Sequence, residues 1–213
     1  MGTLILVRHS ITEASAAGRN LGQRRDPALT PAGLELAERL GSTLALELGE
    51  LPHDVIRIVA SPARRCRQTA EAIAPAVGLT AEAIEVLDGL LEIDYGAWDG
   101  LTADECRARD PEHRAEWEAD PWVTACPEGE SGRDVAARAF RALGPLEAWL
   151  TDDRARVAVA VAHNHVLRLR LCDLFGWPMR EYRDRLVTDP AGYSLIGFGP
   201  DAPIIRRVNA APA

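Results

Sequence analysis

Leu4-Ile5-Leu6-Val7-Arg8-His9 and, far along the chain, Val157-Ala158-Val159-Ala160-Val161-Ala162-His163 decide the fold. Each is an apolar run without polar alternation, the pattern of a strand covered on both faces, as in a parallel sheet. Around them the period changes. Thr30-Pro31 sets a capping hydroxyl before proline at the first helical position, and Leu34, Ala37, Leu40, Leu44 and Leu48 follow at helical spacing. Val55 to Ala60 predicts a second strand, Ser61-Pro62 starts a helix to about Val77, and Ile84 to Leu87 predicts a short third strand. Ser131 caps a predicted helix to about Leu150, Val166 to Phe175 is helical, and Tyr193 to Phe198 and Ile204 to Val208 form two strands about the turn Gly199-Pro200-Asp201. Strands alternating with helices predict a three-layer α/β/α sandwich with a mostly parallel central sheet and late strands running antiparallel.

Ser10 to Ala28 reads as a polar loop. From Asp88 to Glu130, Gly89, Gly96, Gly100 and two Asp-Pro steps break the pattern into loops and short helices. This stretch reads as an insertion over the active-site edge of the sheet, within one domain spanning 1–213.

The 213 residues are 47% hydrophobic and 26% charged, an ordinary globular composition. All 24 basic residues are arginine; there is no lysine. Schiff-base enzymes, Walker P-loop proteins and protein kinases all need one, so those classes are excluded. A formal net charge of -8 provides no global field for nucleic acid or an anionic membrane, so an anion must be bound locally. The apolar runs are far shorter than the ~20 residues that cross a bilayer. The chain begins on a strand without a signal-like segment, so a cytoplasmic protein with reduced thiols is expected. Cys66, Cys106, Cys126 and Cys172 are scattered and offer no zinc pattern. A homodimer is compatible with all of this.

In open α/β sheets, ligands bind beyond the carboxyl ends of strands. His9 and His163 both stand at such ends, His9 with Arg8 beside it. Arg64, in the first turn after the strand from Val55, points toward the same edge. Guanidinium forks suit bidentate phosphate binding, so this is an oxyanion pocket with an imidazole in it.

Leu6-Val7-Arg8-His9-Ser10-Ile11-Thr12 resembles L-V-R-H-G-E-T, the opening signature of the histidine phosphatase superfamily, phosphoglycerate mutase-like branch. Further segments resemble that family in order: Asp26 to Gly33, Ser61 to Ala70 (S-P-x-x-R-x-x-Q-T-A), Leu91 to Gly100, Pro127 to Ser131, and Ala162 to Arg168 (S-H-G-G-V-I-R). The resemblance implies that His9 is the nucleophile forming a phosphohistidine, that Arg8 and Arg64 hold the phosphoryl oxygens, and that His163 donates to charge developing in the transition state. Glu92 would be the general acid and then the base, which requires a carboxyl held protonated by burial or by the bound phosphate. Glu130 is an alternative proton donor. Asn164 and Ser15 would complete the phosphate contacts, Ser15 in place of a family asparagine. No metal or cofactor is implied.

Ser10 and Ile11 depart from the family Gly and Glu. Ser10 either donates to phosphate or caps the turn. A cysteine phosphatase is excluded because its loop needs five residues between Cys and Arg, and Cys126 to Arg133 has six. The expected activity is hydrolysis of a small phosphate monoester. The alternatives are a cofactor-dependent phosphoglycerate mutase and a turnover-deficient phosphate-binding module. Against the mutase, Arg107, Arg109 and Arg114 in the insertion are outnumbered by Asp104, Glu105, Asp110, Glu112, Glu116, Glu118 and Asp120, a face expected to repel a polyanion. Trp117 and Trp122 are expected to pack or to offer apolar surface to a leaving group.

Overall fold

The computed structural model describes residues 1–49, 51–199 and 202–213. In chain order the elements are β1 (Gly2–Arg8), α1 (Glu13–Ala16), α2 (Pro31–Leu48), β2 (Ile56–Ala60), α3 (Arg64–Ile73) and β3 (Ile84–Val86). They continue with α4 (Ala103–Arg109), α5 (Pro111–Ala119), α6 (Gly132–Asp152), β4 (Val157–Ala162), α7 (Asn164–Leu174), β5 (Tyr193–Phe198) and β6 (Ile204–Ala210). One six-stranded sheet has the order β3-β2-β4-β1-β5-β6. Neighbours from β3 to β1 are parallel, and β5 runs antiparallel to both β1 and β6. This is the expected mostly parallel α/β sandwich.

The two unalternated runs are the adjacent central strands, paired from Thr3 with Val157 to Arg8 with Ala162. Side chains leave a strand on alternate faces. Ile5, Val7, Val157, Val159 and Val161 therefore enter one core with α2 and α3, and Leu4, Leu6, Ala158, Ala160 and Ala162 enter the other with α6 and α7. Every residue from Leu4 to Val7 is at most 1% exposed. Burying each such side chain is worth about 1.5–3 kcal/mol.

Two caps fall where the sequence places them, but at Ser61-Pro62 the helix begins only at Arg64, after Ala63, which makes no side-chain cap bond. Thr30 Oγ1 accepts from Gly33 N, and Ser131 forms a capping box with Asp134. Two stretches differ. The 10–28 loop holds α1, started by a Thr12–Ser15 capping box. The helix after Ser61 is α-helical only to Ile73, where Pro75 cannot supply an N–H, and continues as a 3-10 turn. The 88–130 stretch contains the expected short helices, α4 and α5. In the expected turn at 199–201, Pro200 and Asp201 lie outside the described residues.

Candidate active site

The carboxyl ends of β1, β2 and β4 meet side by side: His9 N donates to Ala162 O at 2.9 Å and Ser61 N to Val161 O at 3.0 Å. This brings the His9 and His163 rings edge-on, with centroids 5.2 Å apart. His9 Nδ1 lies 2.8 Å from the Ser10 carbonyl, which only accepts, so Nδ1 carries the proton and donates. Nε2 keeps its lone pair and has no protein partner among the described residues. Burial first, then the Arg65 and Arg8 charges, lower the His9 pKa to about 3. The ring is therefore neutral over the whole physiological range.

Arg64 is not at the site. Its side chain is exposed, and its backbone N–H donates to Asp26 Oδ1 at 2.7 Å. Its neighbour Arg65 is inside, 1% exposed. On α3 the buried positions are Arg65, Cys66, Thr69, Ala70 and Ile73, so position 64 is turned away from the core. Counting along S-P-x-x-R also reaches Arg65, the signal by which the sequence could have found it. Arg65 donates Nη2 to Gly22 O at 2.9 Å and Leu21 O at 3.4 Å, Nη1 to Arg25 O at 3.4 Å, and Nε to His163 Nδ1 at 3.3 Å. His163 Nε2 must then carry the proton and donate to Ser61 Oγ at 2.8 Å. Burial and the Arg65 charge hold His163 neutral, well below the usual histidine value. Both of its nitrogens are engaged; Arg65 lines an adjoining cavity with Gly22, Gln23 and Leu91.

Glu92 is 4% exposed and meets the N-terminus of α7. Its carboxylate accepts from His165 N at 3.3 Å and from Ile93 N at 2.9 Å, with His165 Nδ1 at 3.5 Å. Burial raises its pKa, but the hydrogen-bond donors of His165 and the Ile93 N–H lower it more, and the net shift is downward. These donors hold Glu92 ionised; burial alone does not protonate it. Glu130 does a different job. It forms a two-point contact with Arg138 at 2.8 Å and accepts from Asp94 N at 2.9 Å, outside the cavity lining. Arg138 in turn donates to the carbonyls of Gly89, Leu91 and Glu92, fastening the Glu92 loop to α6. Gly96, with φ +54, completes the loop: a Cβ there would meet Pro127 O at 1.9 Å.

Arg8 donates Nη1 to Thr188 O at 2.5 Å, while Thr188 Oγ1 donates to Asn164 Oδ1 at 2.7 Å. Thr188, five residues ahead of β5, therefore orients both groups. Asn164 keeps its amide N–H groups available to the cavity. Ala191, buried at φ +56, donates its N–H to Arg8 O at 3.1 Å, a strained position held by the sheet. Ser15 lines the cavity, though its hydroxyl is engaged with Thr12. Ser10 follows neither alternative: fully buried, it donates Oγ to Gly33 O at 2.6 Å, tying the end of β1 to the first turn of α2.

The cavity in front of His9 has a volume of about 240 Å³. Besides Arg8, His9, Glu92 and Asn164 its wall includes Arg114, Arg168 and Arg183, which the sequence did not single out as site residues. The expectation of a repelling insertion is overturned. None of the seven acids named in the insertion lines the cavity, whereas Arg114, 3% exposed, does. Its guanidinium lies 4.5 Å from the centroid of the Trp117 ring, which is itself buried core. Trp122 packs against that core without reaching the wall.

Residues 4–211 match the model of the histidine phosphatase superfamily, branch 1. The chain is 32% identical over 209 residues to phosphoserine phosphatase 1 of Hydrogenobacter thermophilus, covering 98% of this chain and 92% of that protein. It is also 32% identical over 209 residues to a 2,3-bisphosphoglycerate-dependent phosphoglycerate mutase of Azorhizobium caulinodans, covering 97% and 92%. Among solved structures, a mycobacterial glucosyl-3-phosphoglycerate phosphatase in complex with VO3 superposes with a TM-score of 0.81 at 26% identity, covering 99% of this chain and 100% of that one. An ordered set of motifs, a shared fold and a match over nearly the whole length agree: the chain belongs to the histidine phosphatase superfamily, branch 1.

Proposed function

We propose that this cavity hydrolyses a small phosphate monoester through a phosphohistidine on His9. The observation that carries the proposal is the His9 ring: neutral, its Nδ1–H tied to Ser10 O, its Nε2 lone pair uncommitted on the cavity wall. Nε2 attacks phosphorus, the bond from phosphorus to the ester oxygen breaks, and protonated Glu92 gives its proton to the departing alkoxide. Water then attacks the phosphoryl group, Glu92 takes a proton from it, and inorganic phosphate leaves as the His9 lone pair is restored. Arg8 and the Asn164 amide hold the phosphoryl oxygens, with Ser15 at the cavity edge. Arg65 and His163 act through His9, keeping it neutral and fixed.

Glu92 acquires its proton only when phosphate is bound. The bound anion opposes the ionised carboxylate and raises its pKa, and a monoanionic ester brings the proton with it. Names of relatives, phosphatases among them, support hydrolysis, while a mutase relative keeps phosphoglycerate mutase as the second reading. The test assays 3-phosphoglycerate with 2,3-bisphosphoglycerate beside a panel of monoesters. Phosphate release is expected, with an alkali-stable, acid-labile phosphoryl label that His9→Ala abolishes. Efficient mutase turnover without phosphate release would overturn it.

A further inference from the structure

His165 touches Glu92 with both its backbone and its ring. It stands where S-H-G-G-V-I-R has its second glycine, in the first turn of α7, and is 2% exposed. Its backbone N–H lies 3.3 Å from each Glu92 oxygen, and ring Nδ1 lies 3.5 Å from Oε1. A glycine would supply the first donor but not the second. An ionised carboxylate only accepts, so the ring nitrogen facing it carries the proton. Burial keeps the ring neutral, below the usual histidine value.

Three rings from outside α7 fix this imidazole. Tyr95 and Tyr182 pack edge-on against it, with centroids 5.4 and 5.7 Å away, and Trp117 of α5 lies tilted at 6.3 Å. Its Nε2 is buried without a partner among the described residues. An unpaired polar atom inside an aromatic cage costs free energy that a leucine of similar size would not. Packing alone therefore does not account for an imidazole here, whereas the Nδ1 contact with Glu92 does. The other ionisable groups facing the pair are each held in one state. Arg8 from β1, Arg114 from α5, Arg168 from α7 and Arg183 ahead of β5 are cationic. His9 and His163 are neutral. Burial pushes up the Tyr95 and Tyr182 hydroxyls and the Cys66 and Cys126 thiols, so all four keep their protons.

We infer that His165 is the positioning residue of the general acid: its backbone N–H and Nδ1–H grip the Glu92 carboxylate, aim it, and favour its ionised form, which confines proton delivery to alkyl leaving groups to acid pH. The inference rests on Glu92 being the acid of the proposed hydrolysis. Contacts of this kind are often long before substrate is bound and tighten in the complex. The downward net shift at Glu92 agrees with the geometry.

The test compares H165L, which fills the cage without a donor, with H165N, whose amide N–H reaches the position of Nδ1. Carbon-13 NMR of the carboxyl groups, with the Glu92 signal assigned by E92Q, follows its titration in protein saturated with inorganic phosphate. H165L should raise the proton affinity of Glu92 about tenfold or more, and H165N should stay near the native value. In single turnover at saturating ester, H165L should move the basic limb of phosphohistidine formation up by about one pH unit for ethyl phosphate. For p-nitrophenyl phosphate, whose leaving group needs no proton, that limb should not move. A merely structural role would slow both esters alike and shift neither limb. A Glu92 titration unmoved in H165L, or moved as far in H165N, overturns the inference. Nitrogen-15 shifts of the native ring need no variant: the Nδ1–H tautomer is expected at neutral pH, and the Nε2–H tautomer overturns the grip. If the intact protein releases phosphate from no ester, the hydrolysis fails, while the two NMR measurements still decide the role of His165.

Discussion

Replacing Arg65 and Arg64 separately by Gln tests which neighbouring arginine serves the site. Arg65 is 1% exposed and donates to Gly22 O at 2.9 Å, with longer contacts to Leu21 O, Arg25 O and His163 Nδ1. Hydrogen bonds from charged donors contribute about 1.5–3 kcal/mol each and do not add fully. One sound bond and three long ones put the loss for R65Q at about 2–4 kcal/mol. At roughly 2–4 °C per kcal/mol for a chain of this size, Tm should fall by about 4–16 °C. R64Q removes an exposed side chain and should stay within about 0.5 kcal/mol. Activity separates a site role from mere stability. Arg65 is the foremost charge lowering the His9 pKa from its ordinary value to about 3, so R65Q should move the acid limb of kcat/KM to higher pH. Calorimetry and a pH–rate profile below the melting range measure both effects. Equal stability losses in the two variants, or an acid limb unmoved in R65Q, would refute the reasoning.

For the native protein, kcat/KM should rise as His9 loses its proton at about pH 3 and fall as the ester passes its second ionisation near pH ~6, giving an acidic optimum. A profile rising through pH 8 would contradict proton delivery with the substrate. Glu92→Gln should lower kcat on alkyl phosphates by about 10²–10⁴-fold. On a p-nitrophenyl ester, whose leaving group needs no proton, the loss should be much smaller, and equal losses would remove Glu92 as the acid. Glu130→Gln breaks the Arg138 clamp without touching the cavity, so Tm is expected to drop by a few degrees with KM nearly unchanged. A proton-transfer defect in its pH profile would restore Glu130 as donor.

Strands and caps were legible because they are local: an unalternated run or a Thr-Pro start states its own environment. His9, Glu92, His163, Arg8 and Asn164 were legible as members of ordered motifs. The Arg64–Arg65 choice was not, because both residues occupy the first turn of α3 and only packing shows which one faces the core. Charge in the insertion misled for the same reason. Counting acids along 104–120 sums over a helix surface, whereas Arg114 alone is turned inward onto Trp117. Arg183 and Thr188 lie in an irregular stretch without periodicity, and the sheet carries them to the site from beyond the last motif.

The central place of β1 bears on how the protein comes into being. Thr3 pairs with Val157 and Leu4 with Ile196, so β1 gains neither neighbour until more than 150 further residues have followed it. Contacts so distant in sequence slow folding, because the intervening loop must close before they stabilise anything. Arg8 ends that strand, His9 follows it, and Arg8 is oriented by Thr188. The helices can therefore form early while the enzyme is still inert. Regained phosphate release after dilution from denaturant should lag the recovery of helical circular dichroism, reporting closure of the sheet.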